Sequence, residues 1–349
     1  MAAIDPWYLS NLVCPRDYQS LRFENDQLSC PLNHEYPVVE GIPVMLLGEM
    51  SQTLHVAKSS LERAFGTRPA DQRAPELYLE CLGVNDDEKA GMAALSRDPN
   101  NLIDPVVSYI VAATNGLMYK KLVGRLKTYP IPDLRLPERD GGVFLDLGCS
   151  WGRWCIAAAR KSYSAVGIDP SLGAIMAARR VSAQLGLPIK YVVADGRRLP
   201  FRQSWADVIF AYSVLQHFSK ENVAATLAEA ARVLKPNGRS LIQMPTTLGL
   251  RCLYHQAKRG FRKADGFEVR YWGIRELKQT FAKIIGKSSI SADCYFGIGI
   301  QKSDFAFMPL SLKIVTVCSE ALRGLSKFLP FFVYAADSVY VESVAKGKV

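Results

Sequence analysis

The chain has 349 residues, 49% of them hydrophobic, with a formal net charge of +10 and a pI near 9.2. This length allows one large domain with additions or two domains, and the composition excludes a disordered or fibrous protein. The basic balance suits nucleic acid, an anionic membrane surface or a phosphorylated substrate, and it equally fits a basic enzyme without such a partner.

The sequence shows no pattern for export or for a membrane span. The first ten residues lack a basic stretch followed by an apolar run, so no signal peptide is predicted. The most apolar stretch, 305–318, is interrupted by Lys313 and is too short to cross a bilayer. The eight cysteines are scattered, which argues against a disulfide framework. We therefore expect a cytoplasmic protein, with peripheral membrane contact left open.

Residues 1–48 stand apart from the rest, because they are rich in turn residues and carry two Cys-Pro pairs. Metal-binding groups occur there at short spacings: Cys14 precedes Asp17 by three residues, and Cys30 precedes His34 by four. Thiolate, imidazole and carboxylate groups in close pairs are the ligands that zinc prefers. A metal site is predicted here, and a degenerate segment that has lost its metal remains the alternative.

Residues 49–142 are predicted to be a helical lead-in followed by a linker. The stretch 51–128 has mostly helical spacing, with a break near 97–105. Three prolines between 128 and 142 fit neither a helix interior nor a central strand, so that stretch is predicted to be a connector.

From residue 143 to the end, short apolar runs alternate with helical patterns. The strand candidates are GVFLDLGC, SAVGID, IKYVVAD, ADVIFAYS and GRSLIQMP, followed later by SISADCYFGI and DSVYVESVA. Strands that alternate with helices predict a parallel sheet covered on both faces. An apolar, partly helical insert at 303–334 separates the last two strand candidates.

A glycine-rich turn follows the first of these strands. Gly148 and Gly152 allow the backbone to turn tightly and to approach a ligand closely. Their spacing of four excludes the dinucleotide pattern G-x-G-x-x-G. Asp146, just before the first glycine, would repel a pyrophosphate and would suit the ammonium group of a methionyl moiety.

Acidic residues also end the next two strands. Asp169 can accept hydrogen bonds from both hydroxyls of a ribose. Asp195 can accept from an adenine amino group, and the Gly196 amide can donate to the neighbouring ring nitrogen. Each aspartate alone also fits a turn or a helix cap, but the ordered set favours a bound cofactor.

The segments DLGCSWG, GIDPS, ADGRRLPF, ADVIFAYSVLQHF and RVLKPNG resemble the successive motifs of class I S-adenosylmethionine-dependent methyltransferases. The likeness is greatest to small-molecule enzymes related to the ubiquinone and menaquinone C-methyltransferases, the type 11-like group. It covers about 140–245 strongly and the final strands weakly. It implies a Rossmann-like α/β domain over 143–349: a seven-stranded sheet with helices on both faces and an antiparallel last strand near 338–345.

The same resemblance implies S-adenosyl-L-methionine as cofactor and assigns roles to single residues. The loop from Asp146 to Gly152 would hold the methionine part, Asp169 the ribose, and Asp195 with Gly196 the adenine. Tyr212 and Ser213 would line the pocket near the methyl group. The implied cofactor-binding set is Asp146, Gly148, Ser150, Gly152, Asp169, Asp195, Gly196 and Tyr212.

Residues 11–47 resemble the small zinc ribbon of the tRNA-methyltransferase activator subunits, and the ending YPVVEGIPVML carries the likeness. Zinc-fingered rRNA guanine methyltransferases have a similar set of three cysteines and a histidine. Here Asp17 stands where those families have cysteine. The resemblance implies one zinc ion on Cys14, Asp17, Cys30 and His34, since zinc accepts carboxylate ligands.

Methyl transfer is an in-line displacement at a sulfonium methyl, for which the enzyme supplies mainly positioning and desolvation. A base is needed only where the acceptor carries a proton. His217 is the candidate, because it follows the fourth strand near the mouth of the expected cleft. A role in packing or capping the following loop fits His217 equally well.

Three functions remain open from the sequence. A small-molecule or lipid-linked acceptor is favoured by the apolar insert at 303–334, which also fits ordinary core. An RNA acceptor is favoured by the ribbon, the net charge and the basic, aromatic segment 251–272. Against RNA, Ala211-Tyr212-Ser213 replaces the Asn/Asp-Pro-Pro-aromatic turn of many base-amine enzymes. The third function is a non-catalytic, partner-binding homologue, against which the cofactor motifs argue.

Overall fold

A computed structural model describes residues 4–51, 54–66, 86–114, 117–138, 141–297, 299 and 301–347. The strands are β1 (Arg22–Glu24), β2 (Gln27–Ser29), β3 (Glu35–Val39), β4 (Ile42–Pro43), β5 (Val143–Leu147), β6 (Ser164–Asp169), β7 (Lys190–Val193), β8 (Ala206–Ala211), β9 (Leu234–Pro245), β10 (Gly286–Cys294) and β11 (Ser338–Ala345). The helices are α1 (Pro6–Asn11), α2 (Leu54–Ala64), α3 (Asp86–Arg97), α4 (Pro105–Thr114), α5 (Arg153–Ala159), α6 (Leu172–Gln184), α7 (Lys220–Val233), α8 (Leu250–Lys258), α9 (Ile274–Ile284) and α10 (Leu310–Leu325). Short 3-10 helices occupy Leu117–Leu122, Leu215–His217, Lys302–Phe307 and Pro330–Ala335.

The strands form two sheets. The first four make an antiparallel sheet in the order β1-β2-β3-β4. The others make a seven-stranded sheet in the order β10-β11-β9-β8-β5-β6-β7. The pairs β6–β7, β5–β8 and β8–β9 are parallel, whereas β11 is antiparallel to both β9 and β10. This mixed sheet confirms the predicted Rossmann-like fold, including its antiparallel last strand.

The described residues form two compact units. The first unit comprises 1–141 and 148–202, and the second comprises 142–147 and 203–349. In the first unit the N-terminal sheet is tied to the edge of the large sheet. The Met45 amide donates to the Val193 carbonyl at 2.7 Å, and Leu12 forms an antiparallel bridge with Phe201. The predicted ribbon segment therefore packs directly against β7 and its following loop.

Local capping sets the bounds of α6 in the first unit. The Ser171 hydroxyl accepts from the Ala174 amide at 3.1 Å, which satisfies one of the amides that a helix start leaves without an internal partner. The helix stops before Gly186, whose φ of +66° continues the chain in the left-handed region. The spacing of apolar residues in SLGAIMAARRVSAQLG predicts a helix over 171–186, and the helix observed there spans Leu172–Gln184.

Asp337, a residue distant in sequence, caps α8 in the second unit. Its carboxylate accepts from the Cys252 amide at 3.0 Å and from the Gly297 amide at 3.2 Å. Gly249 begins this helix without a side chain, and a Cβ there would lie 2.4 Å from the Asp337 Cα. The start of α8 is therefore locked to the residues just before β11.

The lead-in and the insert both contain helices where residues are described. Helices α2, α3 and α4 fill much of the helical lead-in, while 67–85 lie outside the described residues. The insert contains α10 flanked by two 3-10 helices. No described helix has the length and apolarity needed to cross a membrane. Seven cysteines are unbridged, and Cys81 lies outside the described residues.

Candidate functional site

The glycine loop, Gly148–Gly152, has a left-handed backbone at three of its five positions. The φ angles are +71° at Gly148, +49° at Ser150 and +82° at Gly152. The Gly148 amide donates to the Ile168 carbonyl at 2.8 Å, which holds the loop against β6. A Cβ on Gly152 would lie 2.4 Å from the Tyr191 hydroxyl oxygen, so that position requires glycine for both its φ and its space.

Asp169 at the end of β6 binds this loop. Its Oδ2 accepts from the Ser150 amide at 3.0 Å, and its Oδ1 accepts from the Ser171 amide at 2.9 Å. The structure thus brings together two of the predicted cofactor residues, which are 19 positions apart. Asp169 pairs with Val193, the last residue of β7, so Asp195 lies just past the end of that strand.

Asp195 forms a buried ion pair that the sequence analysis missed. Arg197 donates to it through Nε at 2.8 Å and Nη2 at 2.7 Å, and both side chains are almost fully buried. The remaining guanidinium nitrogen, Nη1, donates to the Ser51 carbonyl at 2.5 Å. The only sequence signal was the spacing of two in ADGRR. The roles of Asp195 and Gly196 toward adenine therefore stay predictions, and Asp195 would have to serve Arg197 as well.

The second unit contains Asp146 and Tyr212 at the ends of parallel strands. Asp146 is buried on β5 and pairs with Phe210 of β8, and Tyr212 is the first residue after β8 ends at Ala211. The Tyr212 hydroxyl donates to Asp293 Oδ2 at 2.9 Å, and the Ser338 hydroxyl donates to the same oxygen at 2.7 Å. Asp293 was also missed, because the strand β10 that holds it, GKSSISADC, is itself rich in polar residues and gives the carboxylate no distinguishing signal.

Both ring nitrogens of His217 lie within hydrogen-bond distance of a neighbouring group. Nδ1 lies 2.7 Å from the Phe267 carbonyl, which can only accept, so this nitrogen carries the proton. Nε2 lies 3.1 Å from Gln216 Nε2, which can donate to it. Burial lowers the pKa of His217, the Phe267 carbonyl raises it, and the Arg270 charge lowers it again. The ring is therefore neutral with Nε2 as acceptor, the form that a base requires, but a substrate would have to displace the Gln216 amide.

Four potential metal ligands converge in the first unit. The ligand atoms of Cys14, Asp17, Cys30 and His34 all lie within 4.8 Å of one another. His34 Nδ1 is 3.5 Å from Cys14 Sγ, 3.4 Å from Cys30 Sγ and 3.1 Å from Asp17 Oδ2. Tetrahedral zinc with bonds of about 2.0–2.3 Å separates its ligands by about 3.3–3.8 Å, so the four atoms need only small shifts to hold the ion.

The surroundings of these four residues also fit a metal. Burial raises the pKa of the Cys14 thiol, and a cation beside it would favour the thiolate form that binds zinc. The Tyr36 hydroxyl lies 3.1 Å from Cys14 Sγ, where it can orient that ligand. Burial raises the pKa of Asp17. Hydrogen bonds from the Gln19 amide and from neighbouring side chains together outweigh burial and lower the pKa to about 2. Asp17 is thus ionised and ready to bind a cation.

The central segment is similar to a known family. Residues 144–238 match the family model described as a methyltransferase domain. The matched residues include β6 to β8 and all but the first residue of β5 in the mixed seven-stranded sheet.

Curated proteins resemble this segment over part of their length. The biotin biosynthesis bifunctional protein BioHC of Cellvibrio japonicus is 32% identical over 144 residues, which are 41% of this chain and 27% of that protein. The ubiquinone biosynthesis O-methyltransferase of Rhodopseudomonas palustris is 34% identical over 94 residues, 27% of this chain and 36% of that protein. The chain thus spans only about a third of these relatives.

Among solved structures, the YcgJ protein of Bacillus subtilis is 18% identical with a TM-score of 0.41, and the alignment covers 60% of this chain and 94% of that one. This likeness is too low to support a conclusion about function.

Proposed function

We propose that this protein transfers a methyl group from S-adenosyl-L-methionine to a small-molecule or lipid-linked acceptor. The observation that carries the proposal is the glycine loop bonded to Asp169 inside the matched methyltransferase domain. When bound, the cofactor supplies a methyl group activated by its sulfonium. The protein's part is to bind, to orient and to exclude water.

Asp169 is proposed to serve the loop and the cofactor together. A carboxylate offers about four acceptor positions, so it can hold the Ser150 and Ser171 amides and also accept from ribose hydroxyls. Fixing the loop to the ribose-binding carboxylate keeps both in one geometry before the cofactor arrives, which reduces the entropy lost on binding. Asp146 and Tyr212 are proposed to contact the methionyl part and the methyl region, as the resemblance implies.

Calorimetry with S-adenosylmethionine and S-adenosylhomocysteine tests this proposal. Asp169→Ala should weaken binding by about 1.5–3 kcal/mol, the size expected for loss of charge-assisted hydrogen bonds. Asp98→Ala is the matched control, because Asp98 also accepts from a backbone amide, that of Asn100, at an exposed turn outside the domain. Unchanged affinity in Asp169→Ala, or an equal loss in the control, would contradict the assignment.

The acceptor is proposed to be small or lipid-linked, and two of the relatives are named for ubiquinone and biotin biosynthesis. The alternative is RNA, which the net charge of +10 favours. An untargeted metabolite comparison with and without the gene should reveal species that differ by one methyl group. Radiolabelled methyl in a defined RNA, at a rate comparable to that on any small acceptor, would overturn the small-acceptor proposal.

If the acceptor must lose a proton, we propose that His217 takes it. The Phe267 carbonyl holds the proton on Nδ1, which leaves Nε2 as the basic nitrogen. His217→Ala should lower turnover on the order of 100-fold while leaving cofactor affinity unchanged. Full activity in this variant would assign the ring a structural role, and Asp293→Asn would then test the Tyr212–Asp293 pair as the proton acceptor.

We also propose that Cys14, Asp17, Cys30 and His34 bind one zinc ion. The ligand spacing and the ionised Asp17 support this, and the role would be structural because all four tetrahedral positions are protein ligands. Elemental analysis should find one zinc per chain, lost in Cys30→Ser and kept in Cys318→Ser, whose thiol is exposed elsewhere. Only trace zinc after supplementation would mean that the segment binds no metal.

A further inference from the structure

Exposed apolar side chains are concentrated in one stretch of the second unit. Among the residues that the structure describes, 15 of the 18 large hydrophobic side chains that are exposed lie between 248 and 334. The sequence allowed the insert at 303–334 to be ordinary core, and the structure shows instead that much of it faces outward. An exposed apolar area of this kind marks an interaction surface.

Helix α10 exposes an apolar face and buries polar side chains, which is the reverse of an ordinary surface helix. Leu310, Ile314 and Val317 are 73%, 56% and 51% exposed, and their spacing of four and three places them on one face. The opposite face buries Thr316 and Ser319. A surface helix of a soluble protein normally does the reverse, so this helix presents its apolar stripe to its surroundings.

The buried polar side chains of α10 have hydrogen-bond partners that favour this orientation of the helix. Thr316 Oγ1 donates to the Leu312 carbonyl at 2.9 Å, and Ser319 Oγ accepts from the Tyr295 amide at 2.9 Å. Because these buried hydroxyls have hydrogen-bond partners, burying them costs little. The contacts of Ser319 tie α10 to the end of β10 and keep its apolar stripe outward.

The apolar surface continues beyond α10. Phe328 and Phe331, in the chain that follows it, are 83% and 63% exposed. Ala336 lies against Gly249, where a Cβ would be 2.7 Å from the Ala336 carbonyl oxygen. The exposed Leu250 at the start of α8 therefore lies beside the end of this segment.

The charge of the same stretch points to the partner. Residues 248–334 contain fourteen Lys and Arg but only six Asp and Glu, a net +8 of the chain's +10. Exposed cations such as Arg251, Lys258 and Lys327 flank the apolar side chains in sequence. Anionic lipid headgroups complement this charge, and the acyl boundary beneath them accepts the apolar residues. The exposed stripe of α10 is aliphatic, which suits an acyl boundary and not the base stacking that RNA uses, whereas Phe328 and Phe331 fit either partner.

We propose that the outer face formed by Leu310, Ile314, Val317, Phe328 and Phe331 docks on the surface of an anionic lipid bilayer. The helix lies in the plane of the interface and does not cross it, consistent with the absence of a membrane-spanning helix among the described residues. Docking does not depend on the proposed methyl transfer, because vesicle binding requires no cofactor.

Vesicle co-sedimentation of the full chain tests this docking. Binding should be weak to phosphatidylcholine vesicles and strong when about one third of the lipid is phosphatidylserine, and added salt should weaken it. The double variant I314E/V317E should bind at least about tenfold more weakly, because two buried apolar contacts become charges. Leu102→Glu is the matched control, since Leu102 is 53% exposed in the first unit.

The variants change exposed side chains, so their folding should be intact, and their circular dichroism and thermal unfolding check this. Equal binding of the double variant and the unaltered protein would overturn the proposal, as would failure to bind either kind of vesicle. A dimer in light scattering that the double variant abolishes would assign the face to a second copy of this chain. Single-stranded RNA binding lost in the same variant would assign it to RNA.

Discussion

Replacement of Gly152 by alanine is the sharpest test of the glycine loop. The change adds one carbon atom, yet that atom would lie 2.4 Å from the Tyr191 hydroxyl oxygen. Tyr191 is buried, and its hydroxyl is 2.7 Å from Ser182 Oγ, so the ring cannot move without breaking that hydrogen bond. Alanine must also adopt the φ of +82° that glycine has here.

The expected loss of unfolding free energy in Gly152→Ala has two contributions, one from the backbone and one from the contact with Tyr191. A left-handed conformation costs a residue with a Cβ roughly 1–2 kcal/mol, of which about 0.4–1 kcal/mol is offset by the stiffer unfolded chain. Loss of the buried Ser182–Tyr191 hydrogen bond adds about 1–3 kcal/mol. The free energy of unfolding should therefore fall by about 2–4 kcal/mol in Gly152→Ala.

The variant Gly186→Ala isolates the backbone contribution from the steric one. Gly186 has a φ of +66°, but no atom lies within 4 Å of the point that a Cβ would occupy, so it carries only the backbone cost, about 1 kcal/mol or less. Tyr191→Phe removes the nearest of the obstructing atoms, and the double variant G152A/Y191F should be less destabilised than the sum of the singles by at least about 1 kcal/mol. Denaturant unfolding measures all four variants.

The same variants test whether the glycine loop binds the cofactor. If the loop binds S-adenosylmethionine, Gly152→Ala should lose affinity in calorimetry while Gly186→Ala keeps it. Equal destabilisation of Gly152→Ala and Gly186→Ala, or strict additivity in the double variant, would refute the steric argument.

Three further outcomes are expected. Asp337→Asn should lower the free energy of unfolding by about 1–2 kcal/mol, because the Cys252 amide at the start of α8 loses a charged acceptor; an unchanged denaturation midpoint would contradict this. Because the pKa of His217 is lowered from 6.5, folding stability should rise with pH between the lowered pKa and 6.5, and His217→Gln should remove that part of the slope in pH-dependent thermal unfolding. At Ser150, with φ +49°, glycine should change stability by less than about 1 kcal/mol and valine should cost about 2 kcal/mol or more, as urea unfolding can show.

Much of the domain could be predicted because its signals are local. The period of apolar residues indicated the strands and helices, including α6. The strand β9 was placed less well, since it begins at Leu234, four residues before the predicted run GRSLIQMP. Pairing with β8 extends the strand there, and such pairing has no local signature.

The sequence by itself determined the order of strands and helices, the acidic residues at the strand ends and the spacing of the metal ligands, because each depends on residues close together in the chain. Only the tertiary structure decided that Asp195 is bound by Arg197, that Tyr212 donates to Asp293, and that α10 turns its aliphatic side outward. The helical period places side chains on common faces, but which face is buried depends on hydrogen bonds such as that between Ser319 and the Tyr295 amide, formed by residues 24 positions apart.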